Sequence, residues 1–450
     1  MTERRYERAE AVLARERAVI GEVMKIRFYP FVMGSAEGSR VQDVDGNGYI
    51  DFIASAAVVQ AGYGHGGIRQ AVLDELDRSW TQMHCCYPNE RAVELAERLI
   101  ALAPGDFEKR AWFGTTGGDA NDCLARLVPL ASGRRRMLTY VGAYHGQTSG
   151  SAALSGHSTQ ARVIGGGEIT KLPYPDPYRC AWGPCEQAGC SLKCLEFVDQ
   201  FALAAVSPAA DTGAILLEAM QSDGGDVVPP ANYLPALREL CDRHGIWLLF
   251  DEVKTGLGRT GKMFAFEHSG VIPDGFSIGK PLGGGLPLSG VIARREILDA
   301  DTYVLSTLGG SPVPCAAGLA TLDALRDDRL LENAERMGAR LQDGLRELAT
   351  RHALVGDVRG LGLMVGCELV RDRSTREPAA REAAQLVYRA FELGLLIIYC
   401  GMHGNVIEFT PPLSITAAEI DEGLAILDEA LAHVEAGQFD DRKLTPYAGW

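Results

Sequence analysis

Residues 246–293 read IWLLFDEVKTGLGRTGKMFAFEHSGVIPDGFSIGKPLGGGLPLSGVIA. The run Ile246 to Phe250 is short and wholly apolar, as a strand buried on both faces should be. It ends in Asp251. A second short strand, Phe276 to Gly279, ends in Lys280, and three glycines at 283, 284 and 285 follow. A carboxylate and a lysine at the carboxyl ends of buried strands face one crevice, where open α/β sheets take their ligands.

That pair suits a particular cofactor chemistry. A desolvated lysine can lose its proton and form a Schiff base with an aldehyde. A carboxylate can keep a pyridine nitrogen protonated and so turn the ring into an electron sink. Together they point to pyridoxal 5′-phosphate (PLP).

The segments DEVKTGLGRTGKMFAFEHSGVIPD and IGKPLGGGLPLSGVIA resemble the core of the class III PLP-dependent aminotransferases, and the resemblance runs from about Tyr29 to about His433. It implies the fold type I architecture. A large α/β domain with a mostly parallel central sheet should span 61–313. A smaller α+β domain should form from 314–450, joined by the N-terminal segment 1–60. The resemblance further implies that Lys280 carries the cofactor and Asp251 pairs with its ring nitrogen.

Working outward, Ala111 to Phe113 reads as a strand followed by GTTGGDAND and a helical run to about 131. Strand, glycines and helix start form the geometry that seats a phosphate on backbone N–H groups. The resemblance places Thr116, Gly117 and Gly118 in the family's phosphate loop. It stacks Tyr144 on the pyridine face and sends Thr307 to the cofactor phosphate of a partner subunit, which implies a homodimer. Gly256-x4-Gly261-Lys262 imitates a nucleotide phosphate loop, but Met263 stands where a magnesium-binding hydroxyl is needed. That excludes a nucleoside triphosphatase.

Charge and composition narrow the partners. With 44 Lys plus Arg against 59 Asp plus Glu, the net charge is −15. That balance argues against nucleic acid and anionic membranes. The charged N-terminus has neither a signal-peptide core nor a membrane span, so a cytoplasmic protein is expected. Residues 165–195 read as a Gly-, Pro- and Cys-rich insertion. Its Cys180, Cys185, Cys190 and Cys194 are spaced C-x4-C-x4-C-x3-C and lack the tight C-x2-C pair of structural zinc sites. Free surface thiols, with no metal, are the simplest reading; a metal or disulfide clip is the alternative.

Three positions depart from the family pattern. Many relatives place a carboxylate-clamping arginine two residues before the Thr-Pro-Pro of NVIEFTPPL; here it is Glu408. Such an arginine often pairs with an acid at the position of Asp223, so both acids should lack their usual counter-charge. Ala56 stands where relatives gate the substrate with a bulkier side chain, and Lys254 where glutamine is common near the cofactor's phenolic oxygen. Room plus negative charge suggests a bulky cationic amine, such as an amino sugar. The chain is similar in this logic to the C-6′ aminotransferases and epimerases of aminoglycoside antibiotic biosynthesis.

Amino transfer is the leading expectation. Epimerisation at the aminated carbon is the alternative, with Lys280 and either Cys85 or Cys86 as the two proton carriers. An ω-amino acid aminotransferase is a further alternative. Loss of Lys280 or Asp251 would have signalled a non-enzymatic binding protein, and both are present.

Overall fold

The computed structural model describes residues 4–157, 168–447 and 449. The chain divides into two compact units, one of Gly66–Leu331 and one of Met1–His65 with Glu332–Trp450.

The first unit holds a seven-stranded sheet. Its order is Lys109–Gly114, Ser289–Arg294, Gly275–Ile278, Trp247–Asp251, Thr212–Leu217, Arg136–Tyr140 and Glu168–Leu172. Ser289–Arg294 is antiparallel to both neighbours, and every other pairing is parallel. The mostly parallel sheet inferred from Ile246–Ala293 is therefore present. Its central strands are apolar throughout because helices cover both faces. Leu124, Leu127 and Val128 of helix Gly117–Ser132 pack on Met137, Ala214, Leu216, Leu249 and Val291, all buried. Each such side chain contributes about 1.5–3 kcal/mol by leaving water.

The boundary expected at 314 falls later. Helix Pro312–Asp327 is apolar on most of its surface and packs on helices Gly66–Arg78 and Glu90–Leu102, so it belongs to the first unit. The three Cys-rich-insertion residues 165–167 lie outside the described residues.

The second unit is α+β. One sheet orders Met33–Glu37, Arg40–Asp43, Gly48–Asp51 and Leu395–Leu396, and another orders Val355–Leu361, Met364–Asp372, Val406–Phe409 and Ile398–Cys400. The Asp43 carboxylate accepts the N–H groups of Asp45 and Asn47, which turns the hairpin between Arg40–Asp43 and Gly48–Asp51. Among the described residues no helix is long and apolar enough to cross a membrane.

Candidate active site

Four strand ends supply the site. The strand Trp247–Asp251 ends in a carboxylate, Thr212–Leu217 runs into Glu218, Arg136–Tyr140 leads to Tyr144 and His145, and Gly275–Ile278 leads to Lys280. A cavity of about 440 Å³ opens there. Lys280, Asp251, Lys254, Tyr144, Thr116 and Glu218 are among the residues that line it. Lys280 sits at φ +31°, outside the regions open to side chains at low cost, on the turn that follows Gly279. Backbone strain of this kind persists only where surrounding structure over-determines it.

Asp251 is buried and held from four directions. His145 Nδ1 and Asn121 Nδ2 each approach Oδ2 at 2.7 Å, while the Val253 N–H donates to Oδ1 at 2.9 Å. The Ser277 hydroxyl lies 3.3 Å from Oδ1. Burial alone would raise the Asp251 carboxyl. The hydrogen bonds and charge of His145, with Val253 and Asn121, hold it below the usual carboxylate range. Burial likewise disfavours the His145 cation, yet the Asp251 and Glu218 carboxylates keep the imidazole above its ordinary value. The two form a buried ion pair at the floor of the cavity.

Helix Gly117–Ser132 starts at the rim. Thr116 caps it, its hydroxyl accepting the Asp119 N–H while the Asp119 carboxylate accepts the Thr116 N–H. That leaves the first-turn N–H groups of Gly117 and Gly118 without intrahelical acceptors. A Cβ on Gly117 would stand 2.5 Å from Val253 Cγ1, so a side chain there would close this end.

Several side chains lie elsewhere than expected. The Asp223 carboxylate does not lack a counter-charge: Lys254 Nζ lies 3.3 Å from its Oδ1. Burial opposes the Asp223 charge, and Lys254 and Lys280 outweigh it and depress its pKa. Cys85 and Cys86 are exposed and do not line the cavity, so the two thiols expected as proton carriers are not at this floor. Thr307 is also exposed, in a segment whose Tyr303, Leu305 and Leu308 face solvent.

Glu408 and Ala56 belong to the second unit. Glu408 is buried on the strand Val406–Phe409. Ala56 lies in the run Ala54–Ala57, where φ is between 49° and 63° at all four residues. Left-handed backbone costs an L-residue about 1–2 kcal/mol.

Residues 24–431 match the model for Aminotransferase class-III. This chain is a class-III aminotransferase family member. It is 37% identical to a leucine/methionine racemase of Thermococcus litoralis, over 98% of this chain and 100% of that one. It is also 37% identical to a 5-aminovalerate aminotransferase of Pseudomonas aeruginosa, over 93% and 97% respectively. Among solved structures, an amine transaminase from an uncultivated Pseudomonas species in a PLP-bound form is similar at TM-score 0.83 and 31% identity, covering 90% of this chain and 95% of that one. Class-III aminotransferases depend on PLP, and PLP is the cofactor of this enzyme. The residues fit it. A lysine, an ionised buried carboxylate and free helix-start N–H groups line one cavity of sufficient volume.

This class-III family member shows site features that the linear pattern did not assign. Glu218 ends an apolar strand as Asp251 does, a signal present in GAILLE. Its carboxylate accepts the Ser222 N–H at 2.7 Å and the Tyr144 N–H at 3.3 Å. Asn121, His145 and Ser277 reach Asp251 only through the fold.

Proposed function

We propose that this chain transfers the terminal amino group of a primary amine, with ω-amino acids as the first substrate class. The lysine and the fixed carboxylate lining one cavity carry the amino-transfer chemistry. The likeness to a 5-aminovalerate aminotransferase, along nearly the whole length of both chains, supports the ω-amino acid class.

In this reading Lys280 would hold the cofactor through its aldehyde and Asp251 would pair with its ring nitrogen. Tyr144 would stack on the ring, and Thr116, Gly117 and Gly118 would receive the phosphate. When bound, PLP supplies an electron sink for the bond broken at the amine-bearing carbon. The Asp251 carboxylate keeps a proton on the facing nitrogen, and His145 and Asn121 keep that carboxylate charged and aimed. With PLP in place, the Lys280 amine at the cavity would be the base that moves a proton to and from the substrate carbon. Lys254 lies beside Asp223 at the wall, where it balances charge. A homodimer with Thr307 reaching the partner's phosphate gains support from the exposed apolar Tyr303, Leu305 and Leu308 beside it.

One observation favours a second substrate class. Among the described residues no arginine lines the cavity. Bidentate arginine is the usual device for a carboxylate, and Glu408 takes the place where relatives carry it. A bulky cationic amine, such as an aminoglycoside at C-6′, suits that setting. The racemase relative supports a third outcome, inversion at the aminated carbon with Lys280 as one proton carrier.

One experiment separates the three. The holoenzyme is incubated in deuterated water with 5-aminovalerate, with an aminoglycoside and with leucine, each with and without a keto-acid acceptor. Acceptor-dependent turnover of 5-aminovalerate supports the first reading. Turnover of the aminoglycoside alone moves the substrate class, and acceptor-independent inversion with deuterium uptake replaces transfer by racemisation.

A further inference from the structure

The segment between strands Glu168–Leu172 and Thr212–Leu217 takes no part in the cofactor cavity. Cys180, Cys185, Cys190 and Cys194 instead line a separate cavity of about 110 Å³. The Cys185 thiol lies 2.8 Å from Cys190 Sγ, closer than two unbonded sulfurs rest against each other.

The neighbouring segment holds this contact in place. The Cys190 N–H donates to Asn232 Oδ1 at 3.1 Å, and Asn232 Nδ2 donates back to the Cys190 carbonyl at 2.8 Å. Inside the same loop, Gln187 Nε2 donates to the Pro229 carbonyl at 2.7 Å, and the Gln187 carbonyl accepts the Ala231 N–H at 2.9 Å. The loop 185–190 is thus pinned to residues 229–232 at Gln187 and at Cys190.

No three of the four thiols converge within 4.8 Å of one another. A tetrahedral thiolate site needs all of its sulfurs about 2.3 Å from one ion. A bond between two sulfurs fits this geometry, and a shared metal ion does not.

We propose that Cys185 and Cys190 are a redox-active dithiol that closes to a disulfide by exchange with a small-molecule disulfide. Cys190 is the attacking sulfur. As thiolate it attacks one sulfur of the small disulfide, forms a mixed disulfide and expels one thiolate. Cys185 then gives its S–H proton to the expelled thiolate, attacks Cys190 Sγ, forms the Cys185–Cys190 bond and expels the second small thiolate. Two protein thiols are oxidised by two electrons, and one small disulfide is reduced to two thiols.

The surroundings divide the roles. Burial opposes a Cys190 thiolate, but the Cys185 S–H and the backbone N–H groups of Leu192 and Ser191 stabilise it and lower its pKa. Burial, and then the neighbouring sulfur of Cys190, push Cys185 up to about 12. A thiolate beside a thiol that holds its proton is the arrangement of attacking and resolving cysteines.

The Cys190–Asn232 hydrogen bonds tie the loop to the start of helix Tyr233–His244, and the closed form shortens the loop on that anchor. Tyr233 shares a 2.8 Å hydrogen bond with Tyr140, at the end of a sheet strand. Oxidation should therefore slow proteolysis within 180–194, with little change in amino-transfer rate.

The test uses the full-length holoenzyme, reduced and then exposed to hydroxyethyl disulfide. Remaining thiols are alkylated and peptides mapped by mass spectrometry. The expected product is a peptide pair joined at Cys185 and Cys190, lighter by two hydrogens and reopened by reductant. Cys185→Ser should instead accumulate hydroxyethylthiol on Cys190, with basal turnover unchanged. A bond from Cys190 to Cys180 or Cys194, full alkylation of Cys185 and Cys190 after oxidation, or stoichiometric zinc release on thiol modification would overturn the assignment.

Discussion

His145 Nδ1 lies 2.7 Å from Asp251 Oδ2, and both side chains are buried. This contact fixes the charge on which the cofactor site depends. His145 and three further groups hold the carboxyl below the usual carboxylate range despite its burial.

Removing one partner of such a pair leaves a buried charge uncompensated. His145→Ala should cost about 3–5 kcal/mol of stability, read by chemical denaturation. Asp251→Asn should lower kcat about 10²- to 10³-fold, as expected when a fixed electrostatic group is lost. The double variant should cost less than the sum, because both changes remove one contact.

Much of this floor is legible in the sequence. Asp251 announces itself as the polar end of an apolar strand and Lys280 as the polar residue between a short buried strand and three glycines, and Glu218 carries the same signal as Asp251. Asn121 and Ser277 do not, since they reach Asp251 from sequence distances of 130 and 26 residues and only the sheet order joins them. The Asp223 partner is hidden for a similar reason: Lys254 lies 31 residues away, on the loop after a neighbouring strand. The segment around Cys85 and Cys86 has no periodicity to say which way its thiols turn.

Glu218 gives a pH signature. Burial pushes its carboxyl up to about 7. A raised acid holds its proton more tightly when folded, so its contribution is fully present below the ordinary carboxylate pKa and lost as pH rises through about 7. Unfolding midpoints at about pH 5 and about pH 8.5 should therefore differ more in the wild type than in Glu218→Gln. An equal difference in both proteins would remove Glu218 from this account.

Gly117 makes a steric claim. Its added Cβ would meet Val253 at 2.5 Å, whereas a Cβ on Gly118 finds no contact closer than 3.5 Å. Gly117→Ala should raise the Kd for PLP at least about tenfold, a loss of roughly 1.4 kcal/mol. Gly118→Ala should fold normally and bind more nearly like the wild type. Fluorescence titration of the apoenzyme reads both.

Lys254 balances Asp223 at the cavity wall. Lys254→Gln should make that wall more negative. A change of about 1 kcal/mol in one charge interaction is about fivefold in KM. KM for a dicationic amine should fall by that order while KM for 5-aminovalerate rises, as measured by initial rates.

The most direct test of the central claim is to reduce the holoenzyme with borohydride and locate the cofactor-bearing peptide by mass spectrometry. Two lysines, Lys254 and Lys280, line the cavity. The account expects the label on Lys280 alone, and Lys280→Ala should carry none. A label on Lys254, or one that survives in Lys280→Ala, would contradict it.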